Sequence, residues 1–562
     1  MKKIISICLL GIVAGLSFPS CSQDLLEIEQ KGVLSVDAVY GGADDETAES
    51  LIASVYRTLW SGVYGTPMYM GLAFPDGDHL CGGGSYSDGG TLRYTYNYAL
   101  TPSTGYHIDE YTSIYRVIYW SNMIVEKLNN EDNSAVKNRV IAEAKFSRAL
   151  ALMWAIRIWG TPPFMPTTDT ENPANGDPAE MWKWVEDNFS EAADVLPSKS
   201  GMGGQEEIGG RATREAALAY LGKAQLLQGK YAEASGTLQL VRDSGLYDLL
   251  PDFVSVTKAE SDWSSENVFE YNVYNDPSSF STQNDMRCMY LGVRSSFLNI
   301  ASDGFTTGWG YSTPSPEFVE FMKEHEKTGD GSYSSRYEGT ICSYDDYQKK
   351  PGANGLAASP WIDNIGYIGM KYYFWSSDLI PGSEAGAPRN ARWHKNWVFL
   401  RYSEVLLDLA EAEAWLGNTG GVGLDALNEV RERAGLEPLG SMGKEDVKNE
   451  RRAELWGENG DRYLNLIRWG DAPDVLGEVG RYRYDFYAPT RSTVTDGDSD
   501  YPVFATVEEG EASGRNTYIV KYADPVYGQS SGFVSGRDEY WPFPESEILS
   551  NPSLTQNPGW LK

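Results

Sequence analysis

Histidine is the scarcest chemical resource of this 562-residue chain. Its four copies, His79, His107, His325 and His394, are too dispersed to form a ligand pair. Five cysteines are present, none in a C-x-x-C, and there is no H-E-x-x-H, so the common zinc spacings are excluded. Positive charge is also short. Lys plus Arg total 47 against 79 Asp plus Glu, a net charge of -32. Binding to nucleic acid or to an anionic membrane surface draws on cations, so both are excluded as the main activity. Beyond residue 16 no apolar run is long enough to cross a bilayer.

The first twenty residues stand apart. Lys2 and Lys3 form a positive head, residues 4–16 are an apolar run, and Pro19 and Ser20 precede Cys21. This pattern resembles a bacterial lipoprotein signal, with Phe18 where Leu is usual three residues before the cysteine. The expectation is cleavage before Cys21, acylation of Cys21, and a tether over residues 21–35. Cys8 leaves with the signal. Cys81, Cys288 and Cys342 remain, an odd number that permits at most one disulfide among them.

Apolar periodicity of 3.6 marks helices at 47–60, 113–128 and 143–159. The last carries Phe146, Leu150, Met153 and Trp154 on one stripe and Ala144, Ala151 and Ala155 on another, so it must pack between neighbours. Residues 213–243 place Leu218, Gly222, Gln225, Gly229, Tyr231, Ala234 and Leu238 at tetratricopeptide spacings, with Gly222 as the small residue that lets two helices approach. Residues 401–416 and 424–433 form a second such hairpin. The predicted fold is mainly α. It is a tetratricopeptide-like scaffold of about four helical pairs with a long, loop-rich, partly β insert region. The expected divisions are a signal at 1–20, the tether at 21–35, a helical part at 36–250, a loop-rich ligand-binding region at 251–395, a returning helical pair and motif helices at 396–470, and a loop-rich end at 471–562. Residues 518–522 read as a strand.

Aromatics supply the functional signal. They make up 13% of the chain, with 36 Tyr and 17 Trp, more than a core requires. A ring offers an apolar face to the C–H face of a sugar, while Asp, Asn and Arg meet hydroxyls. The candidate ligand residues are Asp76, Asp78, Tyr86, Tyr94 and Tyr96 around the run Gly82–Gly84, then Trp309 and Tyr311 in a Gly/Ser/Thr loop, and Arg392 with Trp393. The opposing interpretation has Tyr94, Tyr96 and Tyr98 covering one face of a strand. A second crowd of rings comprises Trp361, Tyr367, Tyr372, Tyr373, Phe374 and Trp375. Asp496, Asp498 and Asp500 begin like a calcium loop, but Tyr501 and Val507 stand where Gly and Glu belong. No metal, cofactor or catalytic residue is assigned. Glu404, Asp408 and Glu411 share a helical face and read as structural partners for Arg401, Arg431 and Arg433. A facing pair of acids, as in a surface glycoside hydrolase, stays open as an alternative.

Four strings carry a resemblance. They are AEAKFSRALALMWAIRIWG at 142–160, LRYSEVLLDLAEAEA at 400–414, ERRAELWGENGDRYLNLIRWG at 450–470 and WPFPESEILSNPSLTQNPGW at 541–560. The chain thereby resembles the SusD/RagB family of nutrient-binding lipoproteins of the Bacteroidetes outer membrane. Asn459, Asn465 and Phe543 depart from the family strings. The resemblance implies an outer-membrane protein, lipid-anchored and facing the exterior. It implies a non-enzymatic role, capturing oligosaccharides for a partner SusC-like TonB-dependent transporter. A peptide-capturing member of the family is the alternative. It also implies structural roles for Arg451, Glu454, Arg462, Tyr463, Arg468 and Trp469. Binding residues are not fixed by the shared strings, so none is carried over.

Overall fold

The computed structural model describes residues 40, 43–60, 66–129, 132–201, 210–273, 287–294, 297–304, 308–353, 361–380, 393–488, 500–523 and 530–560. The predicted signal and tether with Cys21, and Arg392, Asp496 and Asp498, lie outside these residues.

The helices form where caps and periodicity coincide. Helix α1 (Asp45–Thr58) starts at Asp44, whose side chain accepts from Thr47 N at 2.8 Å. A short helix α2 covers Gly90–Tyr96, followed by α3 (His107–Leu128) and α4 (Ala135–Trp159). Ser134 caps α4, and Gly160, at φ 70°, ends it. Helix α4 is buried on nearly every side from Val140 onward, because α1, α3 and α5 (Pro178–Val195) all pack on it. Its two apolar stripes thus find the neighbours that they require. Helices α6 (Arg214–Leu227) and α7 (Tyr231–Asp243) form the next hairpin. Here Gly222 lies so close to Leu238 that an added Cβ would sit 2.6 Å from Leu238 Cγ. The small residue is what permits the approach.

The chain then leaves the helical row and returns to it. A further short helix, α8, spans Arg287–Leu291. The hairpin of α9 (Tyr402–Leu416) and α10 (Gly421–Ala434) lays α9 against α7, extending the same stack. Helices α11 (Lys444–Leu455) and α12 (Asp461–Trp469) follow, with α11 packed on α9. The mainly α, tetratricopeptide-like reading therefore holds.

Among the described residues, β structure is confined to four small sheets. Strand β1 (His79–Cys81) pairs antiparallel with β3 (Ser312–Pro314), and β2 (Asn267–Tyr271) with β6 (Trp397–Arg401). Strand β4 (Ile341–Ser343) pairs with β5 (Tyr367–Gly369). The last sheet places β9 (Tyr518–Ala523) between β7 (Tyr482–Tyr487) and β8 (Val503–Phe504). The strand predicted at 518–522 is β9.

The charged motif residues join the two halves from inside. Arg336 is fully buried and donates to Glu326 at 2.6 Å and Glu450 at 2.5 Å. Arg401 reaches Glu454 at 3.0 Å and Glu458 at 2.7 Å, and Arg433 reaches Glu266 at 3.1 Å. Burial alone would raise Glu458, but Arg401 and Lys371 outweigh it and pull its carboxyl down to about 2. Glu404 meets Lys223, Asp408 meets Arg451 at 2.5 Å, and Glu411 meets Arg468 at 2.6 Å. The acids of α9 are thus internal partners of cations, but the cations are Lys223, Arg451 and Arg468 and not the expected Arg401, Arg431 and Arg433, which bind Glu266, Glu450, Glu454 and Glu458. These groups are buried in the protein and do not form a surface network.

Candidate ligand-binding surface

The segment 308–311 is gripped by backbone on two sides. Trp309 N donates to Met289 O at 2.6 Å and Tyr311 N to Tyr290 O at 2.9 Å, tying the segment to α8. On the other side Gly82 N donates to Tyr311 O at 2.8 Å. Side chains have no room in these seams. A Cβ on Gly308 would meet Gly292 O at 2.4 Å, and one on Gly82 would meet Gly310 O at the same distance. The glycines of both loops are therefore what let three main chains lie together.

This arrangement brings three rings into one cluster. Tyr290 meets Trp309 edge-on at 4.9 Å between centroids, and Trp309 meets Tyr311 at 5.7 Å and 72°. Tyr290 and Tyr311 are nearly parallel at 6.1 Å. The Trp309 side of the cluster opens to solvent, with 41% of the residue exposed. Polar groups flank the rings. Arg294 donates to Trp309 O at 2.9 Å, and its guanidinium lies against Gly84. Asp88 accepts from Gly84 N at 2.8 Å and from Ser85 Oγ at 3.1 Å. Burial first, and then the charge of Asp88, push the Tyr311 phenol up, which keeps it a neutral donor. An exposed indole beside two phenol rings, a carboxylate and a guanidinium can stack on a flat, hydroxylated ligand and hold its edges.

The other candidates fall in different places. Tyr86 is half-buried, with its hydroxyl 2.9 Å from that of Tyr522 and the Arg93 guanidinium 4.9 Å from its ring. Tyr94 lies on the outer side of α2 and is 41% exposed. Tyr96 is buried beside Arg483, so the Tyr94–Tyr96–Tyr98 alternation is not a strand face but part of a short helix and its exit. Trp393 is buried, and its indole donates to Asp378 at 3.1 Å. Asp76 and Asp78 are buried too. Gly77, at φ 82°, folds the chain so that both carboxylates turn inward. Asp76 meets His79 Nδ1 at 3.0 Å, and Asp78 meets Arg452 and Arg462 at 2.6 Å each. Asp76, Asp78, Tyr96 and Trp393 thus face protein partners and not the three-ring surface. Trp361, Tyr367, Tyr372, Tyr373, Phe374 and Trp375 belong to the core.

Tyr290, Asp88 and Arg294 escaped the sequence reading. Tyr290 stands in a stretch with little periodicity, and only a fold that lays α8 beside 308–311 gives it a role. Asp88 sits in the turn string Ser-Asp-Gly-Gly, where an aspartate is ordinary.

No group of His, Cys, Asp and Glu among the described residues is arranged to hold a metal ion, and Asp500 pairs with Lys323 at 2.5 Å. Cys81, Cys288 and Cys342 are all free thiols. Ser530, at the centre of a G-x-S-x-G spacing, donates its hydroxyl to Val479 O at 2.7 Å. No described helix is long and apolar enough to cross a membrane.

Comparison with known proteins gives this geometry its context. Residues 86–226 match a family model described as starch-binding associating with outer membrane. A SusD-like protein of Bacteroides ovatus is 24% identical over 581 aligned positions, 97% of this chain and 96% of its own. A solved laminarin binding SusD-like protein superposes with a TM-score of 0.69 at 22% identity, covering 92% of this chain and 99% of that one. Surface glycan-binding protein A from Bacteroides thetaiotaomicron, solved in complex with laminarihexaose, gives 0.69 at 19% identity, with 91% and 99% covered. Residues 265–560, more than half of the chain, match the model of the SusD family, and the chain belongs to that family.

Proposed function

We propose that this protein is a non-catalytic, glycan-binding lipoprotein of the cell surface. Acylated at Cys21 and held at the outer membrane, it captures oligosaccharides and passes them to a SusC-like TonB-dependent transporter. One observation carries the reading: the cluster of Tyr290, Trp309 and Tyr311, with its exposed indole and its flanking Asp88 and Arg294. The solved relatives named for laminarin and laminarihexaose support a glycan as the ligand. A tethered binder also raises the ligand concentration above a transporter mouth. The deciding experiment is affinity electrophoresis of the full chain through gels containing a panel of glycans, with reducing-end analysis of the same mixtures. Retardation by at least one glycan, without new reducing ends, is expected. Cleavage of the glycan, or retention of peptides in place of glycans, overturns the reading.

A further inference from the structure

A cavity of about 520 Å³ opens at the other end of the β1/β3 ladder, roughly 13 Å from Gly82 at about 3.3 Å per strand residue. It lies between the turn at 77–80, the helix Ala472–Leu476 and the sheet of β7 and β9. Its volume falls in the size class of small-molecule sites, about 300–1,000 Å³.

The charges in it are sorted by depth. Asp78, Arg452 and Arg462 line the inner end, and both guanidiniums share the one carboxylate. Each arginine keeps part of its side chain open, 19% for Arg452 and 18% for Arg462. Asp76, behind them, is engaged by His79. Lys521 adds a third cation. Its ammonium lies 4.2 Å from the Tyr482 ring centroid and 5.5 Å from that of Tyr484, with no carboxylate partner among the described residues. The mouth has the opposite sign, being lined by the exposed Glu317, Asp474 and Glu478.

We propose that this cavity is a second carbohydrate site, separate from the three-ring surface, and that it takes the uronate unit of an acidic glycan. The ligand carboxylate points inward, to Lys521 and the open edges of Arg452 and Arg462. Its hydroxyls donate to the carboxylates at the mouth, and a C–H face lies beside Tyr482. A neutral sugar leaves Lys521 without an anion, since Asp78 answers Arg452 and Arg462 only. Inorganic phosphate answers them but brings few hydroxyls for the mouth. The acid surplus of the whole chain repels long polyanions, so the cavity suits a single acidic residue at a chain end.

The test does not depend on the three-ring surface. Calorimetric titration of the full chain compares galacturonate and digalacturonate with glucose, cellobiose and inorganic phosphate. The proposal expects uronates to bind at least tenfold tighter than either neutral sugar or phosphate. Lys521→Met and Tyr482→Ala should each lower uronate affinity tenfold or more at an unchanged melting temperature. Lys521→Arg should restore most of the loss, and Trp309→Ala should leave uronate binding intact. Equal affinity for neutral sugars or phosphate overturns the proposal. So does retained binding in both cavity variants, or loss of uronate binding in Trp309→Ala.

Discussion

Asp78 and Arg462 meet at 2.6 Å although most of the chain separates them in sequence. Arg452 binds the same carboxylate, so one aspartate ties the turn before β1 to both α11 and α12. Removing it leaves two largely buried guanidiniums without their anion. Asp78→Ala is expected to cost about 3 kcal/mol or more, read as a lower denaturation midpoint in urea. A loss below about 0.5 kcal/mol would show that the arginines find solvent instead.

The exposed indole makes a sharper prediction. Trp309→Ala and Tyr290→Ala should each weaken binding of a retained oligosaccharide tenfold or more, about 1.4 kcal/mol. Trp309 is 41% exposed, so the melting temperature of its variant should scarcely move. Unchanged retention of both variants on the glycan gel would remove the ring cluster from the ligand site.

Helix packing can be tested at one atom. Gly222→Val places branched carbons where Leu238 Cγ already lies 2.6 Å from an added Cβ. Overpacking of about 1–3 kcal/mol should appear in chemical denaturation, while Gly236→Ala on the same hairpin, with no atom within 4 Å of its Cβ, should be neutral or stabilising.

Two acids, Glu270 within β2 and Asp262 just before it, predict an alkaline limb to stability. Burial pushes Glu270 up to about 7, and burial together with Glu270 raises Asp262. A carboxyl whose folded value is raised contributes its full stability below the ordinary carboxylate range. That contribution is lost as pH climbs through neutrality. Melting temperature should therefore fall between about pH 5 and pH 8. Asp262→Asn, which keeps an acceptor for the Asn396 N–H at 3.0 Å, should flatten that slope. An equally steep slope in the variant would place the effect elsewhere.

The helical frame could be read from the chain because its signals are local. The Gly160 stop directly follows the helix it ends, and Gly222 and Leu238 belong to one hairpin, whereas the helix predicted at 143–159 starts earlier than its periodicity shows, at Ala135, where Ser134 caps it. Part of the candidate site was legible for the same reason, since Trp309 and Tyr311 stand together in a glycine-rich loop. What could not be read depends on distant partners. Arg336 and Glu450 look like surface charges until the fold buries them against each other. Asp76 and Asp78 read as ligand residues, and only the folded positions of His79, Arg452 and Arg462 explain why their carboxylates turn inward. Tyr94, Tyr96 and Tyr98 fit a period of two over five residues, too short a window to separate a strand from the helix that forms there.

Every hydrogen bond described for Trp309 and Tyr311 uses main-chain atoms. The exposed Trp309 ring therefore adds little to the frame that presents it, whereas the Tyr311 ring also packs against the core. The indole at position 309 could thus be exchanged without rebuilding what lies beneath it, so this surface can vary faster than the architecture that carries it.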